Sequence, residues 1–330
     1  MIELFRIRGI PVRIDAGWLL IFGLVTWSLA AGYFPHVLPA RSAATYWLHG
    51  VLAALLLFGS VFLHELAHAL AAVDQDVPVG GITLHVFGGV SQLDAEPPTP
   101  RAEVLIAIVG PLTSFAIAGL CLVADRTVEG PPAFHALVGY LAAINLMVGV
   151  FNLVPGFPLD GGRILRAALW WWSGRLAHAT RIASHCGSAV ALLLIALGAA
   201  RALSGDLIGG LWLTLLGLFL HQTARSSWEL MRVRARLETL RVQDVMTRAP
   251  LMADLVAPLA EAGGALRGDQ VVRPQDSAWS AFLKLGRTRD AHVLVVEGHA
   301  LVGVVTDRDL QGALATAGGN ETADAARRAA

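Results

Sequence analysis

Charge is what this sequence has least of. Asp, Glu, Lys and Arg make up 15% of its 330 residues, where a soluble globular domain carries about 25%. Hydrophobic residues make up 55% and mean hydropathy is +0.60. A core of ordinary size cannot absorb that much apolar surface, so much of it faces lipid. An excess of either sign is also missing: 25 basic and 25 acidic residues give a formal net charge of zero. No basic field points to nucleic acid as a partner. Cysteine is limited to Cys121 and Cys186, both in apolar segments. That excludes a disulfide framework and a thiolate zinc site, and leaves two small helix-packing residues. A cleavable signal peptide is not expected either. Met1 to Asp15 carries Arg6, Arg8 and Arg13 but no short apolar core with a small-residue cleavage site. No tandem repeat is apparent.

What the sequence does have is long apolar runs. A spanning helix needs roughly 20 mostly apolar residues. Six stretches approach this: Ala16–Phe34, Ala44–Val73, Val104–Ala124, Phe134–Leu153, His185–Leu203 and Leu207–Ala224. Leu159–Trp172 is apolar but short, and Arg163 and Arg166 interrupt it. It is expected to dip into the membrane or lie along it. Arginine placement orients the spans. With the N-terminus inside, the cytoplasmic segments carry Arg6, Arg8 and Arg13, then Arg101, then Arg163, Arg166, Arg175 and Arg181, then Arg225, Arg232, Arg234 and Arg236. The outer loops and span ends carry Arg41, Arg126 and Arg201. Both termini are therefore expected in the cytoplasm of a prokaryotic plasma-membrane protein.

Composition divides the chain into a membrane domain over 1–225, a charged, helical linker over 226–241, a small α/β domain over 242–316 and a disordered tail over 317–330. In the α/β domain, His292–Glu297 and Ala300–Val305 are β-rich runs around a turn at Gly298. In the membrane domain, Val79–Leu93 reads VGGITLHVFGGVSQL, with β-branched residues between two Gly-Gly pairs. This predicts a short hairpin directly after the second span. It is either an ordinary cytoplasmic loop or a re-entrant strand that offers its edge, near Gly88 and Gly89, to an extended substrate.

The second span contains His64-Glu65-Leu66-Ala67-His68. Residues four apart share one helix face, one turn apart, so both imidazoles can reach a single ion. Zn²⁺ accepts imidazole nitrogen at about 2.0–2.1 Å. Glu65 lies beside the ligands and is itself free to take a proton from water on the metal and pass it to a leaving amine. Each ionisable group near the bilayer centre costs roughly 2.5–3.5 kcal/mol, so three in two turns are expected to face the interior and bind something. A catalytic zinc normally has three protein ligands. The best third is Asp160, in Asn152-Leu-Val-Pro-Gly-Phe-Pro-Leu-Asp-Gly-Gly-Arg163. Pro155 and Pro158 break the helix there, and Gly161 and Gly162 permit unusual angles or close approach. The other reading of Asp160 is a helix N-cap, and the two roles are compatible.

These two motifs together resemble the site-2 protease family of intramembrane metalloproteases. Gly9-Ile10-Pro11-Val12 leading into Trp18, Gly88-Gly89-Val90 and Gly110-Pro111-Leu112 add to the resemblance, which covers roughly residues 5 to 225. It implies one zinc per chain held by His64, His68 and Asp160, with Glu65 as catalytic base. It also implies a transmembrane protein substrate cut at or within the bilayer. Many members place an Asn soon after Gly-Pro-Leu, where this chain has Thr113 and Ser114. No PDZ-like insert is apparent. Asn152 is a candidate for bonding the substrate backbone or oxyanion, or a cap for the broken fourth helix. An intramembrane zinc transporter, a non-catalytic scaffold and a zinc protease acting on soluble peptides are the rival readings.

The C-terminal segment resembles the CBS family. Asp244-Val-Met-Thr247 looks like the start of such a module and Leu301-Val-Gly-Val-Val-Thr306-Asp307-Arg-Asp309-Leu like its end. Pro250 to Gly268 is an insertion relative to a compact module. One repeat fits, and such modules work in pairs, so a homodimer through this domain is expected. Thr306 and Asp307 match positions that contact nucleotide ribose in the family, which implies an adenine nucleotide as ligand. The alternative is a purely structural dimerisation module.

Overall fold

In the computed structural model, residues 2–85, 88–248, 271–286, 292–298 and 300–315 are described. The insertion at Pro250–Gly268 and the tail over 317–330 lie outside them. The chain forms two compact units, divided between Ser227 and Trp228.

The first unit is mostly helical. Helix α1 (Ala16–Ser28) passes through a π turn at Leu29–Tyr33 into the short α2 (Phe34–Val37). The long helices are α3 (Ala43–Asp74), α4 (Pro100–Thr127), α5 (Pro132–Asn152), α7 (Leu176–Leu203) and α8 (Leu207–Thr239). With Ala16–Val37 they make six segments long and apolar enough to cross a membrane, one for each run expected from hydropathy. Ser42 and Thr99 start α3 and α4 by accepting from Thr45 N and Ala102 N, each capping an otherwise unpaired N–H. Large apolar side chains stay exposed along the helices, among them Leu20, Leu120, Leu203 and Ile208. In water that area would be costly; facing acyl chains it is not. Helix α6 (Asp160–Ser173) is not one of the six. It follows the irregular segment 153–159 that Pro155 and Pro158 interrupt.

The sheet of this unit is larger than the expected hairpin. Strands β3 (Val79–His85) and β4 (Gly88–Leu93) form that hairpin, and β1 (Ile2–Ile7) and β2 (Ile10–Ile14) form a second. The order is β1-β2-β3-β4. Arg8 and Gly9 make the first turn with φ of 48° and 84°, the positive values a two-residue hairpin loop requires. Strand β2 pairs in parallel with β3, with Val12 opposite Ile82. Two candidate spans separate these strands, so the pair returns the chain to the side it left. Ile10, Ile82 and Ala69 form a buried cluster that seats the sheet on α3.

The second unit holds an α/β domain with strand order β5-β8-β7-β6. The strands are β5 (Thr247–Arg248), β6 (Val271–Val272), β7 (His292–Glu297) and β8 (Ala300–Thr306). The β7–β8 hairpin turns at Gly298, φ 63°, as its sequence predicts. Helices α9 (Val242–Val245) and α10 (Ala278–Leu285) cover the sheet. Leu237, Val242, Val272, Val293, Val295, Val305 and Leu310 pack as one core.

Candidate metal centre

His64 and His68 lie one turn apart on α3 and both are buried. Their ring centroids are 4.9 Å apart, edge to face. Asp160, the first residue of α6, reaches them from 92 and 96 positions along the chain. Its Oδ2 lies 3.2 Å from each Nε2. The three ligand atoms fall within 4.8 Å of one another. Asp160 is not the N-cap of α6; that position is Leu159, which caps with no side chain.

The far ring nitrogens are already committed. His68 Nδ1 donates to the Ile106 carbonyl at 2.6 Å, and His64 Nδ1 lies 2.9 Å from Ser114 Oγ. With Nδ1 carrying the proton, each Nε2 presents a lone pair to the ionised Asp160. Three acceptors then converge on one point, an arrangement that a cation stabilises and that otherwise demands extra protons. Gly110 completes the cradle on α4: a Cβ there would sit 2.1 Å from His68 Nε2 and 2.6 Å from His64 Nε2. The donor set of two imidazoles and a carboxylate fits zinc. Ser114, just after the Gly-Pro-Leu motif, supplies the polar contact to His64.

Glu65, the neighbour of His64 on α3, contacts β4. Ser91 donates its backbone N–H to Glu65 Oε2 at 3.0 Å. The Ser91 hydroxyl lies 2.9 Å from both that oxygen and the Glu65 carbonyl. Gly89 makes this approach feasible, because a Cβ there would lie 2.3 Å from Glu65 Cγ. Gly88 is needed for another reason: its φ of 122° is a backbone value that favours glycine. Strand β4 is the last in its sheet, and among the described residues nothing pairs with its outer edge. Asn152, the last residue of α5, donates Nδ2 to Val148 O at 3.1 Å, which leaves its amide oxygen free of that bond.

In the second unit, Thr306 and Asp307 behave differently from one another. Thr306 is tied down: its N–H and hydroxyl both donate to Asp309 Oδ2, at 2.8 and 2.7 Å. Thr247 donates to the other oxygen of Asp309 at 3.0 Å. This three-way contact joins the start and end of the module. Asp307 is exposed and accepts from Gln311 Nε2 at 2.7 Å.

Ser91, Ser114, Gly110 and the Ile106 carbonyl are the site features that reading the residues alone did not assign. Gly110 carried a signal in its Gly-Pro-Leu motif; the serines and the carbonyl carried none, because their roles depend on which elements pack together.

The chain is similar to known proteins over both of its units. The profile described as peptidase family M50 matches residues 52–130 and 131–195, and that of the CBS domain matches 242–316. The Rip3 protein of Mycobacterium tuberculosis is 40% identical over 252 residues, covering 76% of this chain. The chain spans 64% of the length of that curated relative. Zinc metalloprotease MJ0392 of Methanocaldococcus jannaschii is 33% identical over 254 residues, 76% of this chain and 67% of the relative. A solved structure of the site-2 protease from Methanocaldococcus jannaschii is 32% identical, with TM-score 0.49, over 69% of this chain and 94% of that one. The chain belongs to peptidase family M50, a family of zinc metalloproteases, and carries a CBS domain after its apolar helices.

Proposed function

We propose that this protein hydrolyses a peptide bond in or near a transmembrane segment of a membrane-protein substrate. One zinc per chain is held by His64, His68 and Asp160, and Glu65 is the catalytic base. The observation that carries this reading is the convergence of the Asp160 carboxylate on two Nε2 atoms, each 3.2 Å away, beside a carboxylate that is not part of the trio. Held by these three side chains, zinc would supply Lewis acidity for the scissile carbonyl and lower the pKa of a water molecule. The remaining work falls to side chains. Glu65 takes the proton from the attacking water and delivers it to the departing nitrogen. Ser91 orients Glu65 through two contacts to Oε2 and leaves Oε1 free to move protons. A helical substrate hides its carbonyls in its own hydrogen bonds and has to unwind before attack. The free edge of β4, beginning at Gly88 and Gly89, is suited to hold such a segment extended by strand addition. The free amide oxygen of Asn152 accepts a substrate N–H.

The arginine distribution supports cytoplasmic termini, and the pairing of β2 with β3 supports a common side for the N-terminus and the hairpin. The CBS domain, a single copy, is proposed to pair with that of a second chain. Its nucleotide contact is proposed at Asp307, whose carboxylate is exposed, and at Thr306 through whichever group Asp309 releases.

The test uses purified protein in lipid with a transmembrane peptide. Glu65→Gln is expected to abolish cleavage, by at least about 1,000-fold, while zinc content stays at the wild-type level. Normal turnover by that variant removes the mechanism. A transporter would move zinc across the same vesicles with or without Glu65. A peptide truncated to its soluble part, if cut as fast as the spanning one, would remove the intramembrane substrate.

A further inference from the structure

A buried ionic cluster lies beside the metal centre and takes no part in the chemistry outlined above. Glu103, in the first turn of α4, has 0% exposure. Arg166 of α6 donates Nε to Glu103 Oε1 at 2.6 Å and pairs with the same oxygen through Nη2. That Nη2 also donates to Glu96 Oε2 at 2.9 Å. Arg163 Nε stands 4.0 Å from Glu103 Oε1. The Arg166 guanidinium lies over the Phe157 ring, 5.2 Å from its centroid. Burial would lower the Arg166 guanidinium, but Glu96 and Glu103 beside it raise it, so it stays charged.

The partners of Arg166 lie on or just after elements that contact His68 or Glu65. Glu103 is one helical turn before Ile106, whose carbonyl fixes His68. Glu96 follows β4, whose Ser91 fixes Glu65. Arg163 and Arg166 come one turn and nearly two turns after Asp160 on the same helix. Helix α6 has no side-chain cap to fix its start. A buried ion pair adds little net stability, because desolvation offsets the attraction. A planar guanidinium bridging two carboxylates does supply a fixed geometry. We infer that Arg166 and Glu103 are positioning residues that set the rotation and depth of α6 and so hold Asp160 in line with the two imidazoles. The inference rests on the reading of Asp160 as a zinc ligand.

The experiment measures the rate at which the zinc-loaded, full-length protein in lipid loses its metal to a chelator, alongside its melting temperature. Asp160→Ala is the reference and should release zinc fast; wild-type release by that variant removes the ligand reading itself. Arg166→Lys keeps the charge but loses the planar fork that fixes the geometry between the two carboxylates, and Glu103→Gln keeps the shape but not the ion pair. Both are expected to release zinc about 10-fold faster than wild type. The paired variant E103M/R166M removes both ends of the most deeply buried pair and leaves Glu96 and Arg163, whose side chains are part-exposed, so its melting temperature should rise above that of either single variant while release stays fast. If the paired variant restores slow release as well, with Asp160→Ala still fast, the cluster serves only its own neutralisation and the positioning role is overturned. Where a single variant does not fold, the paired variant decides.

Discussion

The chain builds two four-stranded sheets that use side-chain volume in opposite ways. In the membrane unit, the strand beside the reacting groups is β4, GGVSQL. Gly89 leaves space for Glu65 and Ser91 supplies the polar contact, so this strand is shaped by what is left out. In the C-terminal unit, β7 and β8 bring Val293, Val295 and Val305 into a core with no exposure. That sheet is shaped by what is packed in. An added methyl should therefore damage the first as chemistry, and a removed one should damage the second as stability.

Substitutions can break or sharpen that contrast. The largest effect is expected for Gly110→Ala, which extends the first logic to the wall of the metal site. Its methyl would meet His68 Nε2 at 2.1 Å, so metal analysis of the purified variant should find zinc below about a tenth of the wild-type content. Next is Gly89→Ala. The new Cβ would press on Glu65 Cγ, and a catalytic group displaced by about 1 Å costs on the order of 100-fold in turnover. Zinc content should be unchanged, and undiminished cleavage would erase the distinction between the sheets. Val295→Ala should lower the stability of the C-terminal unit by about 2 kcal/mol, roughly two buried methylene equivalents and some cavity. Denaturant unfolding measures this, and zinc content should not follow it. The smallest effect is expected for Ser91→Ala, which removes the hydroxyl but keeps the backbone donor to Glu65. Turnover should fall about threefold to tenfold, the value of one hydrogen bond, with the affinity for peptide preserved.

Much of the membrane unit was legible in the residues. All six spans follow from apolar runs, because a bilayer imposes a length and a composition that few other environments demand. The meeting of His64, His68 and Asp160 was foreseen, the histidines because ionisable groups in such a run are costly and Asp160 because prolines and glycines break the backbone around it. The β3–β4 hairpin and the turn at Gly298 followed from β-branched residues flanking glycines. The strands over Ile2–Ile14 were not foreseen. Read alone they are a short, Arg-bearing lead into the first span, and only their pairing with β3 makes them a sheet. Glu103 fell just before the expected start of the third span at Val104 and so escaped notice as an intramembrane charge. Its partner Arg166 was seen as an interruption of α6, since a pairing over 63 positions leaves no local trace.

The parallel pairing of β2 with β3 has a consequence for biosynthesis. Val12 leaves the ribosome two membrane spans ahead of Ile82, the residue it must face. The β1–β2 hairpin therefore keeps the second edge of β2 unpaired until β3 is translated. Pairings between such distant positions are slow to form. The wall that holds Glu65 is thus among the later features to be completed, and a bulky fusion to the first strand would act on catalysis by delaying or blocking that closure.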